Sequence, residues 1–236
     1  MHHAVLDRWS RGSSLLHARD ARVKILLLLA FLAALVTTPR SAPFWLAGYG
    51  AAVLAGVVMA GLPLMAVLLR AAVVLPFSVT FAGISLLAGD SPRAGALVMK
   101  SYLSAAAVLV VVGSTPLPRL LRSLERLRVP RFLLLVVQFL YRYLFVISEQ
   151  AQHMRLAAQS RGGWRFRTAA GAVAVLFARS YARAEGIHHA MLARGFQGTV
   201  TPLAPERAGW KDWALLAGGL VAVAALRFGA EGVWSR

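Results

Sequence analysis

The chain has 236 residues, 58% of them hydrophobic, and a mean hydropathy of +0.65. Several apolar runs approach the roughly 20 residues that cross a hydrocarbon core, which argues for one polytopic membrane protein and against a soluble core. Twenty-six Lys and Arg against nine Asp and Glu give a net charge of +17, and the absence of cysteine excludes disulfides, thiolate metal sites and cysteine nucleophiles.

Without a soluble fold to carry it, the positive charge reads as cytoplasmic loops under the positive-inside rule, facing anionic lipid or an acidic partner rather than nucleic acid. Residues 1–24 hold Arg8, Arg11, Arg19, Arg22 and Lys24 against Asp7 and Asp20, so the N-terminus is expected in the cytoplasm. The residues from Met1 to Ile25 are basic but not apolar, and no cleavable signal peptide is expected there. His2 and His3 lie at a terminus with no acidic partner and read as unstructured rather than ligating. Asp20 can cap the next helix or pair with a nearby arginine.

The first span is expected over about 23–36, ended by Thr37-Thr38-Pro39. The second covers about 44–60, with Gly50 and Gly56 allowing close packing, and Gly61-Leu62-Pro63 turns the chain. The third covers about 64–88. It carries Arg70, able to snorkel to the interface, and Pro76, which should kink it. Asp90-Ser91-Pro92-Arg93 is an outer turn, and the fourth span follows over about 94–113 with Lys100 nearer its outer end.

Residues 114–131 then collect Arg119, Arg122, Arg126, Arg128 and Arg131 against the single acid Glu125. Leu117, Leu120, Leu121, Leu124 and Leu127 mark an amphipathic helix suited to the membrane surface. Two long helical segments come next. In the first, Gln138, Arg142, Glu149, Gln152 and Gln159 form one polar stripe, and polarity rises after Ser148, so the helix begins in the membrane or its interface and ends in the cytoplasm. It stops at Ser160-Arg161-Gly162.

The second long segment repeats small residues every fourth position, at Ala170, Ala174, Ala178, Ala182, Gly186 and Ala190, and stops at Ala193-Arg194-Gly195. Such a ridge favours a close crossing, and the expected partner is the preceding helix, across the Gly162-Gly163-Trp164 turn. A Pro/Gly-containing linker leads to a last apolar helix near 213–226, anchored by Trp210 and Trp213, with the C-terminus outside by parity. The organisation expected is therefore 1–113, a tail and four spans; 114–198, the long-helix region; and 199–236, a linker and a fifth span.

Enzyme chemistry has little to rest on. No expected span contains an acid, no HExxH or P-loop pattern occurs, and His188 and His189 are adjacent on a helix and point to different faces. The Arg-Gly endings are the most distinctive feature. Gly after a helix and Arg in its last turn are ordinary, since they satisfy the cap and the dipole. Two such endings on two long helices also suit projected plugs for acidic grooves on a partner, through charge-assisted bonds.

These endings resemble the paired Ala-Arg-Gly motifs of the T component (EcfT/CbiQ family) of energy-coupling-factor ABC importers. Ala193-Arg194-Gly195 matches as written, and Ser160-Arg161-Gly162 carries Ser for Ala. LHARDARVKILLLL resembles the family's opening, and YRYLFVISEQAQHMRLAAQSRG resembles its cobalt-type members. The resemblance implies an all-α membrane protein with about five spans and crossed coupling helices. It implies a non-catalytic subunit in a bacterial-type cytoplasmic membrane, binding no cofactor itself. Two ABC ATPases would bind ATP and Mg and each receive one arginine-ended helix. A membrane S component would bind the substrate, cobalt or nickel in this subgroup, while the residues alone leave cobalt, nickel or a vitamin open. The alternative is a membrane scaffold that recruits an acidic soluble protein without transport.

Overall fold

Helix boundaries follow the local chemistry of the chain. The computed structural model describes residues 9, 10, 12, 14, 16–38, 43–161, 166–198 and 209–232. His2, His3, Pro39, Arg40, Gly162, Gly163 and Trp164 lie outside them. Eight helices and no strand occur among the described residues: α1 (Ala21–Thr37), α2 (Pro43–Ala60), α3 (Leu64–Leu87), α4 (Ser91–Gly113), α5 (Leu117–Arg126), α6 (Arg131–Ser160), α7 (Phe166–Ala193) and α8 (Trp210–Gly232). The protein is an all-α polytopic membrane protein. The stretches long and apolar enough to cross a membrane are α3, α4, α6 and residues Trp210–Gly229 of α8. The helices α1 and α2, of 17 and 18 residues, reach about 26–27 Å, slightly under the roughly 30 Å of a hydrocarbon core.

Starts are capped as the sequence suggests. Asp20 accepts the Arg22 amide at 2.9 Å and also faces the Arg22 side chain at 3.7 Å, so it both caps and pairs. Asp90 accepts the Arg93 amide at 3.1 Å, and Pro92 opens α4. Several ends share one geometry, in which the residue after the helix turns left-handed and two amides return to the last turn. It occurs at Gly61, Gly89, Arg128 and Gly195, with φ of 63°, 81°, 70° and 73°.

Pro76 does break α3, but one turn earlier than itself. Residues Ala72–Val74 form a 3-10 turn between α-helical stretches Leu64–Ala71 and Leu75–Leu87. Proline lacks the amide that would reach the Ala72 carbonyl, and its ring crowds that carbonyl, so the ladder tightens on the N-terminal side.

The chain forms two compact units, Met1–Ser123 with Glu206–Arg236, and Leu124–Pro205. The division falls inside α5 rather than at Gly113. The start of α5 is held by the bundle: Leu121 and Ser123 are buried, and Arg119 donates to the His17 carbonyl at 3.4 Å. The core of the first unit gathers Leu35, Tyr49, Val57, Val67, Leu103 and Val110. Phe31 meets Tyr49 edge-on at 5.5 Å.

Polar pins mark the two ends of this bundle. At one end the Lys24 ammonium, 3% exposed, donates to the Ser114 carbonyl at 3.0 Å and to Thr115 Oγ1 at 2.9 Å. There too Asp212 accepts amides from Gly209 and Asp20 and faces Arg19 at 3.8 Å. Asp212 thus sits in the first turn of α8, which begins at Trp210, three residues before the start expected near 213. The Arg70 guanidinium lies 4.0 Å above the Trp9 ring, stacked on it.

At the opposite end Lys100 donates to the carbonyls of Val36 and Thr38 at 3.0 and 2.7 Å, and Arg227 Nε to Thr37 Oγ1 at 3.0 Å. Two cations therefore meet the negative end of α1. These pins also show that α8 runs parallel to α1, so residue 232 ends on the same side as Thr37. The glycines that permit this packing differ from those expected. Gly50 and Gly56 make ordinary contacts with Leu103 and Val110 of α4. A Cβ on Gly48 would meet Leu226 at 2.7 Å, and one on Gly219 or Gly229 would run into Leu27 or Trp45. The tightest seam is α8 against α1 and α2.

Candidate functional site: the α6–α7 pair and its arginine ends

The second unit is built on α6 and α7, of 30 and 28 residues. On α6 the half-buried face is Leu135, Phe139, Tyr143, Val146, Gln150, Met154 and Ala158, at spacings of three and four. The polar stripe Gln138, Arg142, Glu149, Gln152 and Gln159 is exposed, as its periodicity requires. The helix starts at Arg131, and its apolar first half exposes Phe132, Leu133 and Leu140.

On α7 the half-buried face is Ala169, Ala172, Leu176, Ser180, Ile187 and Met191. The ridge Ala170, Ala174, Ala178, Ala182, Gly186 and Ala190 is exposed throughout, and a Cβ on Gly186 would meet nothing within 4 Å. The expected crossing of this ridge on the preceding helix is corrected accordingly. A strict four-residue repeat advances about 40° around the helix per step, so over five steps it winds away from any one neighbour. A contact face needs mixed steps of three and four, which the neighbouring stripe has.

Between the two helices lies an open apolar groove of about 480 Å³. Leu135, Phe139, Tyr143 and Ile147 line it from α6, and Ser180, Arg183, Ile187, His188 and Met191 from α7. His188 borders this groove, with its ring 5.9 Å from that of His189. Among the described residues no group of three or more His, Asp or Glu side chains is placed to hold a metal ion.

The two arginine endings are built differently. After α7, Gly195 N–H returns to Leu192 O at 2.9 Å and Phe196 N–H to Met191 O at 3.0 Å. This is a complete Schellman cap with Arg194 at the C-cap and Gly195 left-handed, a backbone conformation that favours glycine. Phe196 and Met191 both line the groove, which ties this helix end to the α6 face. After α6, Ser160 Oγ donates to Ala157 O at 2.9 Å and Arg161 N–H to Ala158 O at 3.2 Å. Serine at 160 therefore bonds back along its own helix and leaves the arginine outward. Ala193, Arg194 and Gly195 are exposed, as are Ser160 and Arg161. Gly162 lies outside the described residues.

The arginines are also well separated. Arg161 is five residues from the start of α7, at most about 18 Å of chain. Arg194 closes the far end of a 28-residue helix about 42 Å long. At least about 24 Å therefore divides them, too far for one small acidic patch and suited to two.

A sequence model of the cobalt transport protein family CbiQ matches residues 12–203, which includes both arginine endings. The cobalt transport protein CbiQ of Rhodobacter capsulatus is 31% identical over 132 residues, 53% of this chain and 54% of that protein. Two uncharacterized proteins of Methanocaldococcus jannaschii are 26% and 27% identical, over 39% and 51% of this chain and 37% and 43% of their own lengths. The chain thus matches about half, or less, of the length of these curated relatives.

Proposed function

We propose, from the fact that this chain belongs to the CbiQ cobalt transport protein family, that it is the transmembrane coupling subunit of an energy-coupling-factor importer for cobalt or nickel. Its work is mechanical. Two ATPase subunits bind ATP and Mg, and each receives one of Arg161 and Arg194 in an acidic groove. A separate small membrane subunit binds the metal and lies against the apolar, exposed faces of α6 and α7. Closure of the ATPases moves the two arginine-bearing ends, shifts the angle between α6 and α7, and tips the metal-binding subunit toward the cytoplasm. The first unit anchors this lever in the inner membrane, with the pinned end at Lys24 and Asp212 facing the cytoplasm.

The observation that carries the reading is the separation of two exposed arginines by a single long helix. Arginine suits the task because its planar fork bonds carboxylates bidentately and stays charged at every physiological pH. The test is reconstitution. Vesicles containing this chain, its ATPases and the small membrane subunit, with ATP on the face bearing Arg161 and Arg194, should accumulate radioactive cobalt. Omitting this chain should abolish accumulation. Full assembly without any ATP-dependent accumulation would overturn the transport reading in favour of a membrane scaffold.

A further inference from the structure

Among the described residues the left-handed position after a helix occurs four times in the same motif, three times as glycine and once as arginine. At Gly61, Gly89 and Gly195 the absence of a Cβ makes the conformation free of strain. Arg128 adopts it at φ 70°, with Arg128 N–H on Glu125 O and Val129 N–H on Leu124 O, both at 3.1 Å. An L-residue with a long side chain is disfavoured there. A disfavoured residue held where the same chain elsewhere uses glycine points to a task for its side chain.

The position suggests the task. Helix α5 starts four residues after the end of α4, a 23-residue apolar span. Helix α6 starts three residues after Arg128 and at once exposes Phe132, 73%, and Leu133, 54%. The connector 127–130 thus joins the surface helix α5 to a helix whose first residues present apolar surface, which sets it at the level of lipid headgroups. The local charge is strongly one-sided. Glu125 is engaged by Arg131 at 3.1 Å, and Arg126 and Arg128 are exposed beside it. Headgroup phosphate is the anion that a guanidinium meets at this depth, and it accepts a bidentate fork.

We infer that Arg128 is an anionic-phospholipid contact, fixing the start of α6 at the membrane surface, and that the chain tolerates a strained backbone to present it. The surface would select phosphatidylglycerol-type over zwitterionic headgroups. The inference rests on the membrane fold and holds whether or not the coupling reading does.

The test exploits the strain, because removing the side chain should help folding. The full chain is placed in nanodiscs of phosphatidylcholine alone, or with a quarter phosphatidylglycerol, and thermal unfolding is followed. Wild type should gain several degrees from phosphatidylglycerol. Arg128→Gly should unfold higher than wild type in phosphatidylcholine yet lose most of that gain, and Arg128→Lys should keep it. A gain in Arg128→Gly equal to wild type would overturn the inference and leave the arginine to a soluble partner. So would excess inorganic phosphate reproducing the wild-type gain in phosphatidylcholine, since the site would then take a free anion.

Discussion

Lys24 sits in the first turn of α1, where a cation is opposed by the helix dipole, and its ammonium is buried. Both are unfavourable on their own. The compensation is the pair of hydrogen bonds to Ser114 O and Thr115 Oγ1, which also satisfies a carbonyl at the end of α4. Lys24→Ala should leave that carbonyl buried and unpaired and lower stability by about 2 kcal/mol, read as a drop in the unfolding midpoint in detergent. Gly195 and Arg194, though adjacent, should separate cleanly. Gly195→Ala should weaken the end of α7 by about 1 kcal/mol through its left-handed backbone. Arg194→Ala should leave the unfolding midpoint unchanged while weakening retention of the proposed ATPase partner on an affinity column. Residues of this kind were partly legible in the sequence. An Arg-Gly pair after a long helix announces a cap, but nothing local announces that Lys24 meets residues 114 and 115, because that pairing is made by the bundle.

At the scale of elements, apolar runs and periodicity located the eight helices named among the described residues, since apolar runs and turn residues act over a few neighbours. It misjudged which faces meet. The alanine ridge of α7 looked like a packing face because the repeat is regular, but a four-residue repeat winds around the helix, and the less regular stripe through Leu176 and Ile187 is the one that packs. The glycines show the same limit. Gly48, Gly219 and Gly229 form the close seam of α8 with α1 and α2, whereas Gly218, next to one of them, has nothing within 4 Å of a Cβ. Gly219→Val should therefore destabilise the bundle by about 1–3 kcal/mol and Gly218→Val should not, measured by thermal unfolding of both variants. Which of two neighbouring glycines faces the partner depends on rotation about the helix axis, which a sequence without periodic contrast leaves open. The 3-10 turn before Pro76 was foreseeable in kind, and its place one turn upstream follows from where proline crowds the ladder.

At the scale of the whole molecule, the chain forms a helical bundle and a long-helix unit that carries Arg161 and Arg194. At each end of the bundle a lysine is held by backbone carbonyls, Lys24 by Ser114 O and Lys100 by the carbonyls of Val36 and Thr38, and at the Lys24 end Arg19 and Arg22 also face Asp212 and Asp20. The lever reading rests on the length of α7 keeping the two arginine ends apart, so it predicts that the two partners are bound independently. The most direct test is native mass spectrometry of the complex released from membranes. The wild-type chain should carry two ATPase subunits, Arg161→Glu and Arg194→Glu one each, and the double variant none. Loss of both ATPases in either single variant, or two retained in the double variant, would contradict the account.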